Sequence, residues 1–123
     1  MFDHLGLGVS DYAASKAFFL KALQPLGAGI VMEGEHGLGL GPNGKPALWL
    51  FQTAGKPAPL HIAFTAENRQ QVQDFHRAAL EAGGQDNGAP GLRPIYHPNY
   101  YGAFVHDADG HNVEACCHEP YLG

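Results

Sequence analysis

The sequence predicts an α+β domain made of two βαβββ modules in tandem, about residues 1–56 and 57–123. A chain of 123 residues suits a single domain, and its 17 glycines and 9 prolines indicate many turns between short elements. The order strand, helix and three strands occurs twice, and "FDHLGLGVSD" aligns with "PLHIAFTAEN" at an offset that places His4 on His61. We therefore expect an open, curved mixed sheet, with both helices outside and a cleft lined by the free faces of the strands.

The first module begins with a strand and a helix. The stretch "LGLGV" at 5–9 alternates, which predicts a strand whose Leu and Val side chains share one face. Ser10 and Asp11 are favourable N-cap residues for the following helix, and Pro25 and Gly27 are expected to end it. Apolar residues recur along this helix at helical spacing: Phe18, Phe19, Ala22, Leu23 and Leu26. Three apolar runs broken by turn residues then predict three strands, "AGIVME", "GLGL" and "ALWLFQ".

The second module repeats this order. The stretch "PLHIAFT" at 59–65 alternates like the first strand, and the helix after it is expected to end at Gly83 and Gly84. Helical spacing predicts its inward-facing residues as Val72, Phe75, Ala79 and Leu80. Further strands are predicted near residues 92–97, 101–106 and 112–118.

Three polar residues fall on strand faces that point away from the helices. Because neighbouring side chains on a strand point to opposite faces, His4 and His61 point away from the helix-facing residues of their strands. In the last strand Glu114 faces away from the alternating apolar residues. Two imidazoles and one carboxylate are a recurrent ligand set for open Fe, Mn, Ni or Zn sites. The pattern predicts a divalent metal ion bound by His4, His61 and Glu114, and the alternative is that each is an ordinary surface polar group.

Three segments carry a resemblance to a known family: "DHLGLGVSDYAASKAFFLKALQPLG", "HIAFTAENRQQVQDFHRAALEAGG" and "YYGAFVHDADGHNVEACCH". The chain resembles the glyoxalase, bleomycin-resistance and extradiol-dioxygenase family, also called the vicinal oxygen chelate superfamily. The most specific piece is "DADGHNVEA" at 107–115, which is similar to the family's acidic turn and the strand bearing its ligand Glu. Ala108 and His111 replace the Pro and Asn of that turn. The resemblance implies the paired βαβββ fold and carries the family's metal ligands onto His4, His61 and Glu114.

Glyoxalase I members of this family have a fourth ligand, an acid on the last strand of the first module. The repeat alignment puts the matching position near Leu48 or Leu50, which cannot bind metal, and leaves Gln52 as a candidate at the strand's end. A site of two histidines and one glutamate resembles the three-ligand members, which are fosfomycin-type thiol transferases and ring-cleaving dioxygenases. Their metal chelates a substrate through neighbouring oxygens and stabilises the oxyanion that develops there.

Acid-base groups are expected from the aromatic-rich stretch "YHPNYYGAFVHD". We predict Tyr100 and Tyr101 as catalytic residues together with Glu114, and alternation leaves open which tyrosine faces the cleft. His97 and His106 are further candidates from the same stretch. The alternative is that each tyrosine packs on the sheet while its hydroxyl finds a partner.

Other histidines and the cysteines are assigned smaller roles. Cys116 shares the face of Glu114 and reads either as a ligand or reactive thiol or as a small buried hydrophobe. His118 lies one pleat further on, where it could contact substrate or support a ligand. The remaining three histidines outside the site are expected to face solvent: His36, His76 and His111.

Composition excludes several function classes. The formal net charge is −5, and the seven Lys and Arg residues are scattered, which argues against nucleic-acid binding. No apolar run is long enough for a membrane span or a signal peptide, and the adjacent Cys116 and Cys117 are expected to be reduced thiols, so we expect a cytoplasmic protein. The Gly-rich stretch "GLGPNGK" at 39–45 is followed by Pro46 and a strand rather than a helix, which excludes a phosphate loop.

The sequence therefore favours a small metalloenzyme, a lyase, isomerase or dioxygenase acting on a small substrate with vicinal oxygens. The resemblance also implies a homodimer, because small members usually dimerise and complete each site with modules from two chains. The first alternative is a non-catalytic binding protein of the bleomycin-resistance type, which would hold a drug or metabolite in the cleft. The second is an interaction subunit with a vestigial cleft.

Overall fold

The computed structural model describes residues 1–120, which fold into eight strands and two α-helices. The predicted second module runs to residue 123, so its last three residues lie outside the described range. The first half contains β1 (Leu5–Val9), α1 (Tyr12–Leu23), β2 (Gly29–Gly34), β3 (Gly37–Gly41) and β4 (Leu48–Gln52). The second half contains β5 (His61–Thr65), α2 (Arg69–Glu81), β6 (Gln85–Leu92), β7 (Tyr101–His106) and β8 (Asn112–Cys117).

The strands form two open four-stranded sheets with the same topology. The first sheet has the order β1-β4-β3-β2, and the second sheet has the order β5-β8-β7-β6. In each sheet the opening strand pairs in parallel with the last strand of its half, and the other pairs are antiparallel. The predicted α+β fold of two βαβββ units is confirmed.

Both helices begin at a side-chain N-cap, and α1 ends at Leu23, two residues before Pro25. The side chain of Asp11 accepts a hydrogen bond from the Ala14 amide at the start of α1, and Asn68 accepts one from the Gln71 amide at the start of α2. A short 3₁₀ turn follows α1 and closes at Gly27, whose φ of 84° is left-handed and therefore suits glycine.

One apolar core joins the two halves. The helices pack against each other, α1 lies on β4, and α2 lies on β7 and β8. Burying a side chain such as Phe19 or Phe75 stabilises the fold by about 1.5–3 kcal/mol. The core draws on β1, β3, β4, β5, β7 and β8 as well as both helices, and includes Leu7, Val9, Leu38, Leu50, Ile62, Val105 and Val113. Leu80 was expected to face this core, but it is 37% exposed on the flank of α2.

The strand predicted at 92–97 is wrong. The strand that pairs with β7 is β6, which spans 85–92, and the aromatic stretch after it is a turn in which the Arg93 amide donates to the Tyr100 carbonyl at 2.7 Å. The segment "QDNGAPGL" has little β propensity, and Pro is tolerated there because β6 is an edge strand. Tertiary pairing with β7 therefore overrides local preference.

No helix within residues 1–120 combines the length and apolar character needed to cross a membrane.

Candidate functional site

The second sheet brings His61 and Glu114 together on its free face. β5 and β8 are neighbours, and their register pairs Ala63 with Glu114, one pleat from His61. The His61 Nε2 atom lies 2.8 Å from Glu114 Oε1. Glu114 is only 1% exposed, whereas the His61 side chain is 55% exposed. The pair thus presents an accessible imidazole beside a buried carboxyl group.

Tyr100 fixes the second oxygen of Glu114. Its hydroxyl donates a hydrogen bond to Glu114 Oε2. Burial, together with this hydrogen bond, raises the pKa of Tyr100, so the phenol keeps its proton and remains a donor. Gly102 makes the arrangement fit, because a Cβ atom at that position would lie 3.1 Å from Glu114 Oε2 and 3.2 Å from the Tyr100 ring. Three strands and the turn before β7 therefore converge on one carboxyl group.

Further side chains border this pair. The His118 ring meets the Tyr100 ring edge-on at 5.1 Å between centroids, and His97 meets His118 at 5.4 Å. Phe104 lies on the other side, 6.2 Å from the His61 ring. Aromatic and imidazole rings therefore surround the pair on this face.

The Cys116 thiol contributes a further polar group to the same face. It interacts with the Tyr100 hydroxyl, and burial raises its pKa, which disfavours the reactive thiolate form.

Tyr101 points to the opposite face of the sheet. Its hydroxyl accepts a hydrogen bond from Gln73 Nε2 of α2 at 3.0 Å, and the Arg69 guanidinium lies 5.0 Å from the ring centroid. The two tyrosines predicted as alternatives are thereby separated, and only Tyr100 contacts Glu114.

His4 immediately precedes β1 of the first sheet and is held by its neighbour Asp3. Its Nδ1 atom lies 2.8 Å from Asp3 Oδ1, and Lys45 Nζ lies 2.6 Å from the other oxygen of Asp3. These hydrogen bonds, that of Lys45 above all, lower the pKa of Asp3 to about 2. The Nε2 atom of His4 therefore faces away from Asp3.

Within one chain His4 does not join His61 and Glu114 in a ligand cluster. Across residues 1–120, the three His, Cys, Asp or Glu side chains whose ligand atoms all lie within 4.8 Å of one another are Asp107, Asp109 and His111.

The first sheet carries Trp49 where the second carries Glu114. β1 pairs Gly6 with Trp49, and β5 pairs Ala63, the repeat counterpart of Gly6, with Glu114. The sequence-based estimate near Leu48 or Leu50 is therefore displaced by one residue, because both leucines are buried on the helix side. A one-residue shift in register moves a side chain to the other face.

Gln52, the candidate fourth ligand, has its amide group fully engaged elsewhere. Its Oε1 accepts from the Tyr12 amide at 2.8 Å, and its Nε2 donates to the carbonyls of Ser10 and Thr53 at 2.7 and 2.9 Å. These bonds join the ends of β1 and β4 to the start of α1.

The turn before β8 forms a buried polar cluster. The Leu60 amide donates to His111 Nδ1 at 2.9 Å, so the ring proton lies on Nε2, which donates to the Gly8 carbonyl at 3.0 Å. His111 is 1% exposed, so its predicted exposure to solvent is wrong. The Asp109 carboxylate accepts from the Ser10 amide at 3.0 Å and from the Ser10 hydroxyl.

Asp107 completes the cluster, with one oxygen accepting from the amides of Asp109 and His111 and the other buried without a hydrogen-bond partner. Burial raises the pKa of Asp107. Asp and His are metal-ligating residue types, but both His111 nitrogens are already used. The observed bonds make this cluster a clasp between β1 and the start of β5. The sequence feature that could have indicated this cluster is His111, which stands in the acidic turn where the family has Asn.

The chain was compared with known proteins. The model of the Glyoxalase/Bleomycin resistance protein/Dioxygenase superfamily matches residues 1–115. A glyoxalase/bleomycin resistance protein from Albidiferax ferrireducens T118 is similar in structure, with 29% identity, a TM-score of 0.77 and 98% of this chain covered against 99% of that one. A family enzyme from Burkholderia phytofirmans PsJN has the same fold, with 16% identity, a TM-score of 0.70 and coverage of 96% and 98%. A comparison with curated proteins found no match.

The family model covers nearly the whole chain, and both sheets have the topology that the resemblance implied. Members of this superfamily usually bind a divalent metal ion and act on or bind small molecules. The chain belongs to the Glyoxalase/Bleomycin resistance protein/Dioxygenase superfamily.

Proposed function

We propose that the protein is a divalent-metal-dependent enzyme that acts on a small substrate with vicinal oxygens. The metal ligands would be His61 and Glu114 of one chain and His4 of a partner chain. The observation that carries this proposal is the contact of 2.8 Å between an exposed imidazole and a buried carboxyl group on the free face of the second sheet.

The residues present suit such an ion. Nitrogen and oxygen donors of this type bind Fe, Mn, Ni or Zn, and His61 is exposed enough to accept one. Gly102 leaves space beside Glu114 that any larger residue would fill. A buried carboxyl group is costly unless it is paired, and a cation bound there would offset that cost.

A partner chain explains where the third ligand comes from. His4 lies on the free face of the first sheet, where Phe51 is 42% exposed, and His61 lies on the free face of the second. A twofold dimer would place each first sheet against the partner's second sheet and form two equivalent sites. Asp3 holds His4 through Nδ1, which leaves Nε2 to bind the metal.

The chain's own residues suit chelation chemistry. When bound, the metal supplies a Lewis acid that chelates two neighbouring oxygens of the substrate and stabilises a developing oxyanion. Tyr100 holds one oxygen of Glu114, which leaves the other directed toward His61. Because Trp49 stands at the counterpart position of Glu114, the first sheet supplies no second acid there. This favours lyase or dioxygenase chemistry over an isomerisation that needs a carboxylate base beside the metal.

We assign the protein to the cytoplasm because its two cysteines are free thiols and are adjacent in the chain.

Metal binding and complementation between variants test the proposal. His4→Ala and Glu114→Gln chains, each with a different histidine-free affinity tag, are co-expressed, and the heterodimer is isolated through both tags. Each single-variant homodimer should bind almost no Zn²⁺ or Mn²⁺. The heterodimer has one intact site and one doubly altered site, so it should bind about one ion per dimer, against about two in the wild type.

His36→Ala serves as the matched control, because His36 is exposed at the turn between β2 and β3 and should not affect metal content. A heterodimer that stays empty would show that the ligands do not come from two chains. Unchanged metal content in both homodimers would refute the proposed ligand set.

A second candidate is non-catalytic binding of a small molecule, which is favoured by Trp49 standing where a second acid would be. Ligand binding that persists in the presence of a metal chelator would support it over the enzyme.

A further inference from the structure

We propose that Trp49 and Phe51 determine substrate specificity by receiving a planar aromatic group of the substrate, whose vicinal oxygens bind the metal. This inference rests on the proposed function and names its substrate class. The two residues lie on the free face of the first sheet, whereas His61 and Glu114 lie on the second sheet.

Strand register gives these two residues their place. Trp49 pairs with Gly6 and Phe51 pairs with Gly8, while Glu114 and Cys116 occupy the counterpart positions in the second sheet. Where the second sheet presents groups that bind a metal or a proton, the first sheet presents two aromatic rings. Both rings share the free face with His4, so the dimer that brings His4 to the ion brings the rings beside it.

Glycines beneath the rings allow them to lie against the strands. A Cβ atom at Gly39 would come within 2.9 Å of the Trp49 ring, and one at Gly6 would lie 3.5 Å from the Phe51 ring. A Cβ atom at Gly8 would likewise lie 3.5 Å from the Phe51 ring, so small residues at these two positions can support that ring in ordinary van der Waals contact. The absence of a side chain at Gly39 in particular leaves room for the Trp49 ring against the neighbouring strand.

The outer faces of the rings remain available. Trp49 is half-buried and Phe51 is exposed, and a shallow cavity beside Trp49 is bordered by Met32 and His36. Exposed aromatic surface on a sheet face marks a place where another apolar surface binds. A flat ring stacked there gains dispersion and quadrupole interactions that an aliphatic substituent of similar polarity does not.

Two hydroxamates separate chelation from stacking. Benzohydroxamate and acetohydroxamate carry the same pair of vicinal oxygens and differ in a phenyl or a methyl substituent. We expect benzohydroxamate to bind the Zn²⁺-loaded dimer roughly tenfold or more tightly than acetohydroxamate in calorimetric titrations. Because Trp49 is the single tryptophan of the chain, benzohydroxamate should also quench the intrinsic fluorescence.

Substitution then assigns the preference to the ring. Trp49→Leu should reduce the ratio of the two affinities to about one while leaving acetohydroxamate binding within about twofold, and Trp49→Phe should retain part of the preference. Ile30→Ala is the matched control, since Ile30 pairs with the helix-facing Leu40 and so lies on the other face. Circular dichroism and Zn²⁺ content confirm that each variant is folded and loaded.

An affinity ratio that is the same in the wild type and Trp49→Leu would overturn the inference while leaving the proposed function standing. So would the absence of quenching, the result expected if the partner chain packs directly on Trp49. Failure of both hydroxamates to bind a dimer that does take up Zn²⁺ would overturn the inference and the vicinal-oxygen substrate together. The metal titration measures uptake of Zn²⁺ and Mn²⁺ independently of the hydroxamates. Failure to take up either ion would overturn the proposed function, and this inference with it.

Discussion

The two sheets have the same topology and register but carry different chemistry on their free faces. In the first sheet the free-face positions of β4 hold Trp49 and Phe51, which pair with Gly6 and Gly8 of β1, and His4 immediately precedes β1. In the second sheet the same positions hold Glu114 and Cys116, with His61 in place of His4. The backbone is repeated almost element for element, while the free faces of the two halves carry different side chains.

The repeated scaffold specifies where a side chain points but not what that side chain does. Helix-facing positions are apolar in both sheets because each must bury a helix, so Leu50 and Ala115 have equivalent roles. The free faces carry no such requirement. A histidine–glutamate pair in one sheet and two aromatic rings in the other are therefore compatible with one fold.

The largest expected effect is on Zn²⁺ affinity, and it should differ between substitutions of the counterpart residues Glu114 and Trp49. Glu114→Gln should weaken Zn²⁺ binding at least about 100-fold, because loss of a supporting residue alone costs about 10–100-fold. Trp49→Leu should change the affinity less than about threefold. Competition with a chromophoric chelator measures both, and equal effects of the two substitutions would refute the division of roles.

The next largest effect is on the free energy of unfolding, and it is expected from substitutions in the clasp formed by the turn before β8. Asp109→Ala removes the acceptor for both the amide and the hydroxyl of Ser10 and should lower the free energy of unfolding by about 3 kcal/mol. Ser10→Ala removes only the hydroxyl and should cost about half as much. In the first sheet the corresponding turn is linked to the segment before β1 by the exposed Lys45–Asp3 pair, which Asn43 does not join, so Asn43→Gly should cost within about 0.5 kcal/mol. Urea denaturation measures all three, and a similar cost at Asn43 would contradict the asymmetry.

A smaller effect separates the adjacent tyrosines. Tyr100→Phe removes the hydrogen bond to Glu114 and should weaken Zn²⁺ binding about tenfold. Tyr101→Phe removes only the bond from Gln73, so metal affinity should not change while stability falls by about 1 kcal/mol. The same chelator competition reports the first effect, and urea denaturation reports the second. A loss of metal affinity in Tyr101→Phe would show that both tyrosines serve the site.

The smallest effect is expected at Gln52. Gln52→Ala removes the amide bonds that join β1, β4 and α1, and should lower the unfolding free energy by about 1 kcal/mol because water replaces part of them. Metal content measured by elemental analysis should stay the same. A reduced metal content would restore Gln52 as a candidate ligand and make the two sheets chemically more alike.

The sequence predicts that His61 and Glu114 lie on the same side of the sheet, because the direction of a strand side chain is a local property. Alternation with period two sends each of them away from the helix, and the repeat offset relates His61 to His4. The N-caps at Asp11 and Asn68 follow from equally local chemistry.

Other features needed contacts between distant segments. The strand β6 forms from a Gly- and Pro-containing segment only because β7 offers it a partner, and Tyr100 reaches Glu114 only through the turn that follows β6. His111 was expected in solvent, but it is buried by bonds to Gly8 and Leu60, 103 and 51 residues away.

The order of the elements, the apolar faces of the helices, and the faces of β5 and β8 that carry His61 and Glu114 could be predicted from the sequence, since they depend on neighbours within a few positions. Pairing between distant strands was needed to show that Trp49 is the counterpart of Glu114 and that Tyr100 rather than Tyr101 contacts the carboxyl group. The reason is that strand register and loop paths are fixed by pairing and packing between segments far apart in the chain, where a shift of one residue reverses the face that a side chain occupies.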